Sequence, residues 1–267
     1  MIGPATPTRS VSERLRFDSR AHASGWCGSK KILPLDQEAM TMPLHVLFED
    51  NHCLAVEKPA GLLTMGDHTG EPTLVDAAKD YLRQKYDKPG NVFVGVVHRL
   101  DRPVSGVVLF ARTSKGAARL SEQFRVRSVE KSYLALVEGT VSPDEGVLHD
   151  RLSKDRARNV VSVVDDEEEG QDCELAYERL QKWGRFTLVR ILPQTGRSHQ
   201  IRVQLSSRGW PIVGDGKYGA KTRVEGFIAL HAASLTFAHP TTKEPITVAS
   251  DWPSAWRALS DAASGPR

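Results

Sequence analysis

The sequence predicts an α+β domain built on a mixed, largely antiparallel sheet with flanking helices. Short runs rich in β-branched and aromatic residues recur as hairpin-like neighbours, and only a few stretches show the apolar spacing of an amphipathic helix. At 267 residues, 40% hydrophobic and 26% charged, the chain has the ordinary composition of a soluble globular protein with a sizeable core. No internal repeat is detectable.

Residues 1–41 lack periodicity, contain Pro4, Pro7 and Pro34, and scatter arginines among serines. They are expected to form a disordered N-terminal extension, with the folded domain spanning residues 42–262. A mitochondrial presequence is the alternative, suggested by Arg9, Arg14, Arg16 and Arg20 and opposed by Glu13 and Asp18. Leu44–Glu49 and His52–Val56 read as two strands joined at Asp50-Asn51. Thr73 is placed to cap a helix whose Leu74, Val75, Ala78, Tyr81 and Leu82 share one face, ending near Tyr86.

Val92–Val97 and Val107–Ala111 read as buried strands on either side of a polar segment. Thr113 or Ser114 then caps a helix ending near Arg127, and Val129–Val137 and Phe186–Leu192 are further strands. The stretch between those two strands reads as irregular, and its acidic run Asp165–Gly170 as a solvated hairpin tip rather than a metal site, because adjacent like charges seek water. A short helix is expected from Ser198, with Ile201 and Leu205 on its buried side and Arg202 projecting beside them. Ile228–Phe237 and Pro245–Ala249 are closing strands, followed by a terminal helix over Pro253–Leu259.

Composition excludes little but is consistent. No apolar stretch approaches the roughly 20 residues that span a bilayer, and the three cysteines Cys27, Cys53 and Cys173 have no paired spacing, which argues for a reducing compartment and against a zinc site. The net charge of +3 permits a nucleic-acid partner without demanding one.

The chemistry is concentrated in His98-Arg99-Leu100-Asp101-Arg102-Pro103-Val104-Ser105-Gly106, one carboxylate flanked by two arginines between apolar runs. A surface ion pair is the ordinary explanation of such a loop, and would contribute only about 0–1 kcal/mol. A second segment, Thr195-Gly196-Arg197-Ser198-His199-Gln200-Ile201-Arg202, changes that balance.

Together with Glu57–Leu62, Glu130–Gly139, Gly214–Gly219 and Leu230–Phe237, in this order, these segments resemble the RluA family of RNA pseudouridine synthases from about Leu44 to Pro253. The resemblance implies the pseudouridine synthase catalytic fold with a central cleft, and isomerisation of uridine in RNA without metal or organic cofactor. It makes Asp101 the catalytic group, acting either at ribose C1′ as nucleophile or at C2′ as base. It makes Arg202 the cation that keeps Asp101 ionised, and Tyr133 the aromatic residue that stacks on uracil and assists proton loss at C5. Burial alone would raise a carboxylate pKa, so such a cation is required, and a guanidinium fixes a carboxylate where a lysine would not.

The target must leave its stack to reach Asp101, and Arg99 is suited to fill the vacated space or hold the flipped nucleotide's phosphate. Arg102, Arg197, His199, Lys58 and His98 complete the expected substrate-binding set. For His98 a role in fixing the loop is preferred, and for Lys58-Pro59-Gly61 a tight turn is at least as good an explanation. Arg197 to Gln200 open a helix, where backbone N–H groups hold phosphates. Gly214–Gly219 lacks a nucleotide-binding pattern and reads as structural.

Two departures from the family pattern are Gln204, where a histidine is common, and Pro103-Val104, where a polar pair is usual. Residues 1–41 are too few for the S4-like domain of many ribosomal members, so specificity is expected from the catalytic domain and a compact RNA stem-loop, with tRNA preferred to ribosomal RNA. A cytoplasmic monomer without membrane contact is expected. The rival readings are a non-catalytic RNA-binding or ribosome-assembly protein with the same fold, and a base-releasing hydrolase, which would need a second carboxylate.

Overall fold

The computed structural model describes residues 43–256 and 259, apart from 68 and 166. The expected extension at residues 1–41 lies outside the described residues.

Strand β1 (His45–Glu49) turns into β2 (Cys53–Lys58) at Asp50-Asn51, where Asp50 accepts the backbone N–H groups of His52 and Cys53 at 2.7 and 2.6 Å. A short acidic side chain stabilises a turn in this way. Helix α1 (Leu74–Lys85) starts at Thr73 with a reciprocal capping box to Asp76 and buries Leu74, Ala78 and Leu82. Strands β3 (Gly95–Val96) and β4 (Ser105–Ala111) bracket the polar segment, and α2 (Ser114–Arg125) follows, capped by Thr113. The apolar run before that segment is mostly not a strand: only Gly95 and Val96 pair, and Phe93 is 48% exposed.

Strand β5 (Glu130–Glu138) leads into the main departure from expectation. The stretch read as irregular holds β6 (Glu145–Asp155), β7 (Val160–Val164) and β8 (Gln171–Trp183), ahead of β9 (Phe186–Pro193). Residues such as Glu174, Leu175, Glu178 and Gln181 favour helix, but Cys173, Leu175 and Tyr177 alternate inward while β8 pairs with β6 and β9 along both edges. Tertiary pairing here outweighs local propensity. The acidic run links β7 to β8, but both of these strands pair with β6 and not with each other, so the run is a crossover connection and not the expected hairpin tip.

Helix α3 (Gln200–Ser207), a 3-10 turn at Gly216–Tyr218, β10 (Leu230–Ala238) and β11 (Pro245–Ala249) complete the described elements. Of the expected terminal helix, Ala255, Trp256 and Leu259 are helical, and 257–258 lie outside the described residues.

The strands form one sheet in the order β1-β2-β4-β10-β5-β9-β8-β6-β7, with β11 on β10 and β3 on β4. Among the pairings between described strands, β4 with β10 is the parallel one. Strand β4 is buried on both faces, which explains its unbroken apolar run. Val108 and Phe110 join the core under α1, and Val107 and Leu109 join a second core with Leu120 of α2 and Phe237.

This centre of the sheet positions the site. Ala232 of β10 registers with Gly106 on one side and Tyr133 on the other. Gly106 has φ +117, and a Cβ there would lie 2.3 Å from the Ala232 carbonyl oxygen, so only glycine allows this approach. No helix among the described residues is long and apolar enough to cross a membrane.

Candidate active site

Asp101 sits in the loop entering β4, and the backbone on both sides of it is pinned. Thr64 Oγ1 donates to the Leu100 carbonyl at 2.9 Å and accepts the Leu100 N–H at 3.2 Å. Lys58 Nζ donates to the carbonyls of Leu62, Pro59 and Arg102 at 2.7, 3.0 and 3.1 Å. Lys58 is 0% exposed, which corrects its assignment to substrate contact: its ammonium is consumed by loop carbonyls. Burial lowers its pKa to about 7, with Asp101 pulling upward and Arg102 downward.

Arg202, on the first turn of α3, is 6% exposed and faces two carboxylates. Its Nη1 donates to Asp101 Oδ2 at 3.1 Å, while Nε and Nη2 donate to Asp215 Oδ2 and Oδ1 at 2.7 and 2.9 Å. Burial works against the guanidinium charge, but hydrogen bonding and charge from Asp215, then from Asp101, raise its pKa above the ordinary value. The helix carrying it is tied down by Gln204, whose amide donates to Leu148 O and Asp150 Oδ2 at 3.1 and 2.8 Å.

Asp101, Tyr133, Arg202, His199 and Leu230 line a cavity of about 550 Å³. Among the described residues Asp101 is the only carboxylate in its lining, and its side chain is 33% exposed. Arg99, Arg125, Arg127, Lys131 and Arg197 give the rest of the lining a strongly cationic character. Burial, then the Asp101 charge, pushes the Tyr133 phenol well above its usual pKa, so the ring enters the cavity as a neutral phenol.

Two expected contacts lie elsewhere. Arg102 turns away from the cavity, forking onto Glu71 at 3.0 and 2.7 Å and donating to Gly61 O at 2.9 Å. His98 borders the cavity but stacks on Phe124 at 4.6 Å and accepts the Leu109 N–H through Nε2 at 2.9 Å. Burial, then Lys131, lowers its pKa to about 4. Its geometry is that of a loop anchor.

Asp215 is the residue that sequence reasoning missed. Its glycine-rich block reads as structural in the sequence, yet Asp215 is 1% exposed and holds most of the Arg202 fork. A buried guanidinium offered only one partly exposed carboxylate was the available signal, because a buried charge requires fuller pairing. Tyr218, three residues on, lies under the Arg202 guanidinium at 4.9 Å.

Asp50, Cys53 and His239 form a separate cluster with ligand-type atoms within 4.8 Å of one another. His239 Nδ1 accepts the Thr242 N–H at 3.0 Å, so its proton belongs on Nε2, which lies 2.7 Å from Asp50 Oδ2. That tautomer presents no lone pair to an ion.

Residues 52–207, which include Asp101, Tyr133 and Arg202, match the family profile described as RNA pseudouridylate synthase. The chain belongs to the RNA pseudouridine synthase family. Within that family it is 37% identical over 208 residues to the dual-specificity RNA pseudouridine synthase RluA of Vibrio cholerae, covering 74% of this chain and 78% of that protein. It is 33% identical over 236 residues to tRNA pseudouridine synthase C of Haemophilus influenzae, covering 81% and 96%. To ribosomal large subunit pseudouridine synthase D of Xanthomonas campestris it is 36% identical over 231 residues, covering 79% and 67%. The structure of human RNA pseudouridylate synthase domain containing 4 superposes with a TM-score of 0.68 at 23% identity over 82% of this chain and 92% of that one, which shows the shared fold. As a pseudouridine synthase the protein isomerises uridine in RNA.

Proposed function

We propose that Asp101 is the group through which this RNA pseudouridine synthase isomerises uridine, and that its substrate is a compact stem-loop, in tRNA ahead of ribosomal RNA. The observation carrying the first part is that Asp101 is the only carboxylate lining the cavity among the described residues and is bonded there to a buried arginine. Its Oδ2 takes the Arg202 N–H, and no bond to Oδ1 is present among the described residues.

The chemistry fits one carboxylate. Asp101 attacks C1′ or takes the C2′ proton, and on either route the N1–C1′ bond breaks with its electron pair leaving on uracil. The uracil turns within the cavity and C5 bonds to C1′, as the Asp101–C1′ ester bond breaks on the first route or the proton returns to C2′ on the second; the C5 proton is then lost and N1 takes one up. No electron is gained or lost overall and no water is consumed, so the reaction calls for no redox cofactor. Asp215, the nearest further carboxylate partner of Arg202, has both oxygens occupied, which argues against a base-releasing hydrolase that needs a second, water-activating acid. Tyr133, as a neutral phenol, is suited to stacking on the base ahead of acting as the C5 base.

The cationic lining supports an extruded nucleotide held by its phosphates, with Arg99 and Arg197 supplying the charge. The preference for tRNA draws on relatives named for tRNA and for dual specificity, against others named for the large ribosomal subunit. The same reading has the enzyme working as a cytoplasmic monomer.

Tritium release from 5-tritiated uridine in tRNA and in ribosomal RNA transcripts tests this. Release from tRNA is expected first. Free uracil would instead mean hydrolysis, tight binding without either product would mean a binding protein, and release from ribosomal RNA alone would overturn the tRNA preference.

A further inference from the structure

His199 is neither solvated nor free. It opens α3 in the left-handed backbone region, φ 52 and ψ 16, without capping the helix through its side chain. Such a conformation is unfavourable for a non-glycine residue, and persists where the surroundings hold it. The ring is 8% exposed, with Nδ1 at 2.6 Å from Tyr218 Oη and Nε2 at 3.8 Å from Asp101 Oδ2.

The hydrogen bonds settle the tautomer. Tyr218 Oη already accepts the Val161 N–H at 3.1 Å. If Nδ1 also donated to it, the hydroxyl hydrogen would be left without an acceptor, which is unfavourable at a site closed to water. The satisfied arrangement has Tyr218 O–H donating to Nδ1 and leaves the ring hydrogen on Nε2, on the side of Asp101. Burial keeps the imidazole neutral: it lowers the pKa, Asp101 raises it, and Arg202, Lys217 and Lys154 lower it again.

We infer that His199 is a positioning residue for Asp101, a neutral N–H donor locked by Tyr218 that closes onto Oδ2 when the nucleotide fills the cavity. A shift of under about 1 Å brings Nε2 into hydrogen-bond range. Arg202 and His199 then hold the same oxygen from two directions, which presents Oδ1 to the ribose in one orientation. Tyr218 couples the pair, since it fixes the His199 tautomer while lying under the Arg202 guanidinium. The inference rests on the catalytic reading of Asp101.

Three variants, ring-nitrogen NMR and an Asp101→Asn control test it. Asparagine tolerates the left-handed backbone but is too short to reach Asp101, so His199→Asn should lower kcat about 10-fold, the effect of losing one hydrogen bond to a charged group, with KM and melting temperature little changed. His199→Gln returns an N–H near the position of Nε2 and should recover most of that loss. In ring-nitrogen NMR the wild type should show the Nε2–H tautomer, and Tyr218→Phe a tautomer mixture with a lower kcat. A wild-type kcat in His199→Asn, an Nδ1–H tautomer in the wild type, or equal losses in both His199 variants alongside a matching fall in melting temperature would overturn the inference. Turnover by Asp101→Asn would instead remove the reading beneath it. An inactive Asp101→Asn beside a fully active His199→Asn would remove the positioning role alone.

Discussion

Arg202 grips Asp215 more fully than it grips Asp101. Two parallel N–H···O bonds of 2.7 and 2.9 Å reach Asp215, and the one bond to Asp101 is 3.1 Å long. Because Asp215 is 1% exposed, it sets the plane of the guanidinium from beneath the site. The donor that meets Asp101 is therefore aimed by a carboxylate outside the cavity lining.

Asp215→Asn keeps the volume of the side chain but can accept only one branch of the fork. The expected result is a kcat lower by about 10–100-fold, equivalent to about 1.4–3 kcal/mol, with KM nearly unchanged. Stability should fall by about 1–3 kcal/mol. Single-turnover rates and urea unfolding check both. An unaltered rate would show that Arg202 needs no orienting partner.

Gly106→Ala should be among the most damaging small substitutions in the chain. The added methyl would meet the Ala232 carbonyl at 2.3 Å in a backbone region with φ +117. Separating β4 from β10 would also displace the loop that carries Asp101. A loss of more than about 3 kcal/mol or failure to fold is expected. Gly139→Ala is the control: φ is +86 but nothing lies within 4 Å, so only the backbone cost of about 1–2 kcal/mol applies.

Acid should weaken the fold through histidines held in neutral form. Burial, then Lys131, holds His98 down to about 4, and burial also lowers His231, whose Nδ1 lies 2.9 Å from Ser105 Oγ. A depressed histidine pKa means that the unfolded chain binds the proton more readily. The His98 contribution is thus complete above about pH 6.5 and is lost as pH falls toward 4, amounting to about 3 kcal/mol. Urea unfolding from pH 7.5 to 4.5 should show that decline, and ring-proton NMR should show His98 neutral until near pH 4. Titration of His98 near 6.5 would contradict its role as a half-buried loop anchor.

The parts of this protein that could be read from sequence are those where one physical rule acts alone. The Thr73 cap, the Asp50 turn and the buried run of β4 each carry their cause locally. Strands β6 to β8 do not: β8 is written in helix-favouring residues and becomes a strand because β6 and β9 pair along its edges. The same division runs through the site. Asp101 and Arg202 stood out by charge and by their surrounding segments, and they meet in space. Asp215, His199 and Tyr218 act through contacts between distant segments, so their parts depend on the closed fold. Lys58 and Arg102 misled for the converse reason, since a cation in a catalytic loop resembles an RNA ligand until its carbonyl or carboxylate partner is seen.

The most direct test of the central claim is turnover by Asp101→Asn on RNA carrying 5-tritiated uridine, with RNA affinity measured on the same preparation. A single catalytic carboxylate predicts no tritium release and no new C5–C1′ bond, with binding close to wild type because the cationic lining is intact. Pseudouridine formation by that variant would contradict the account.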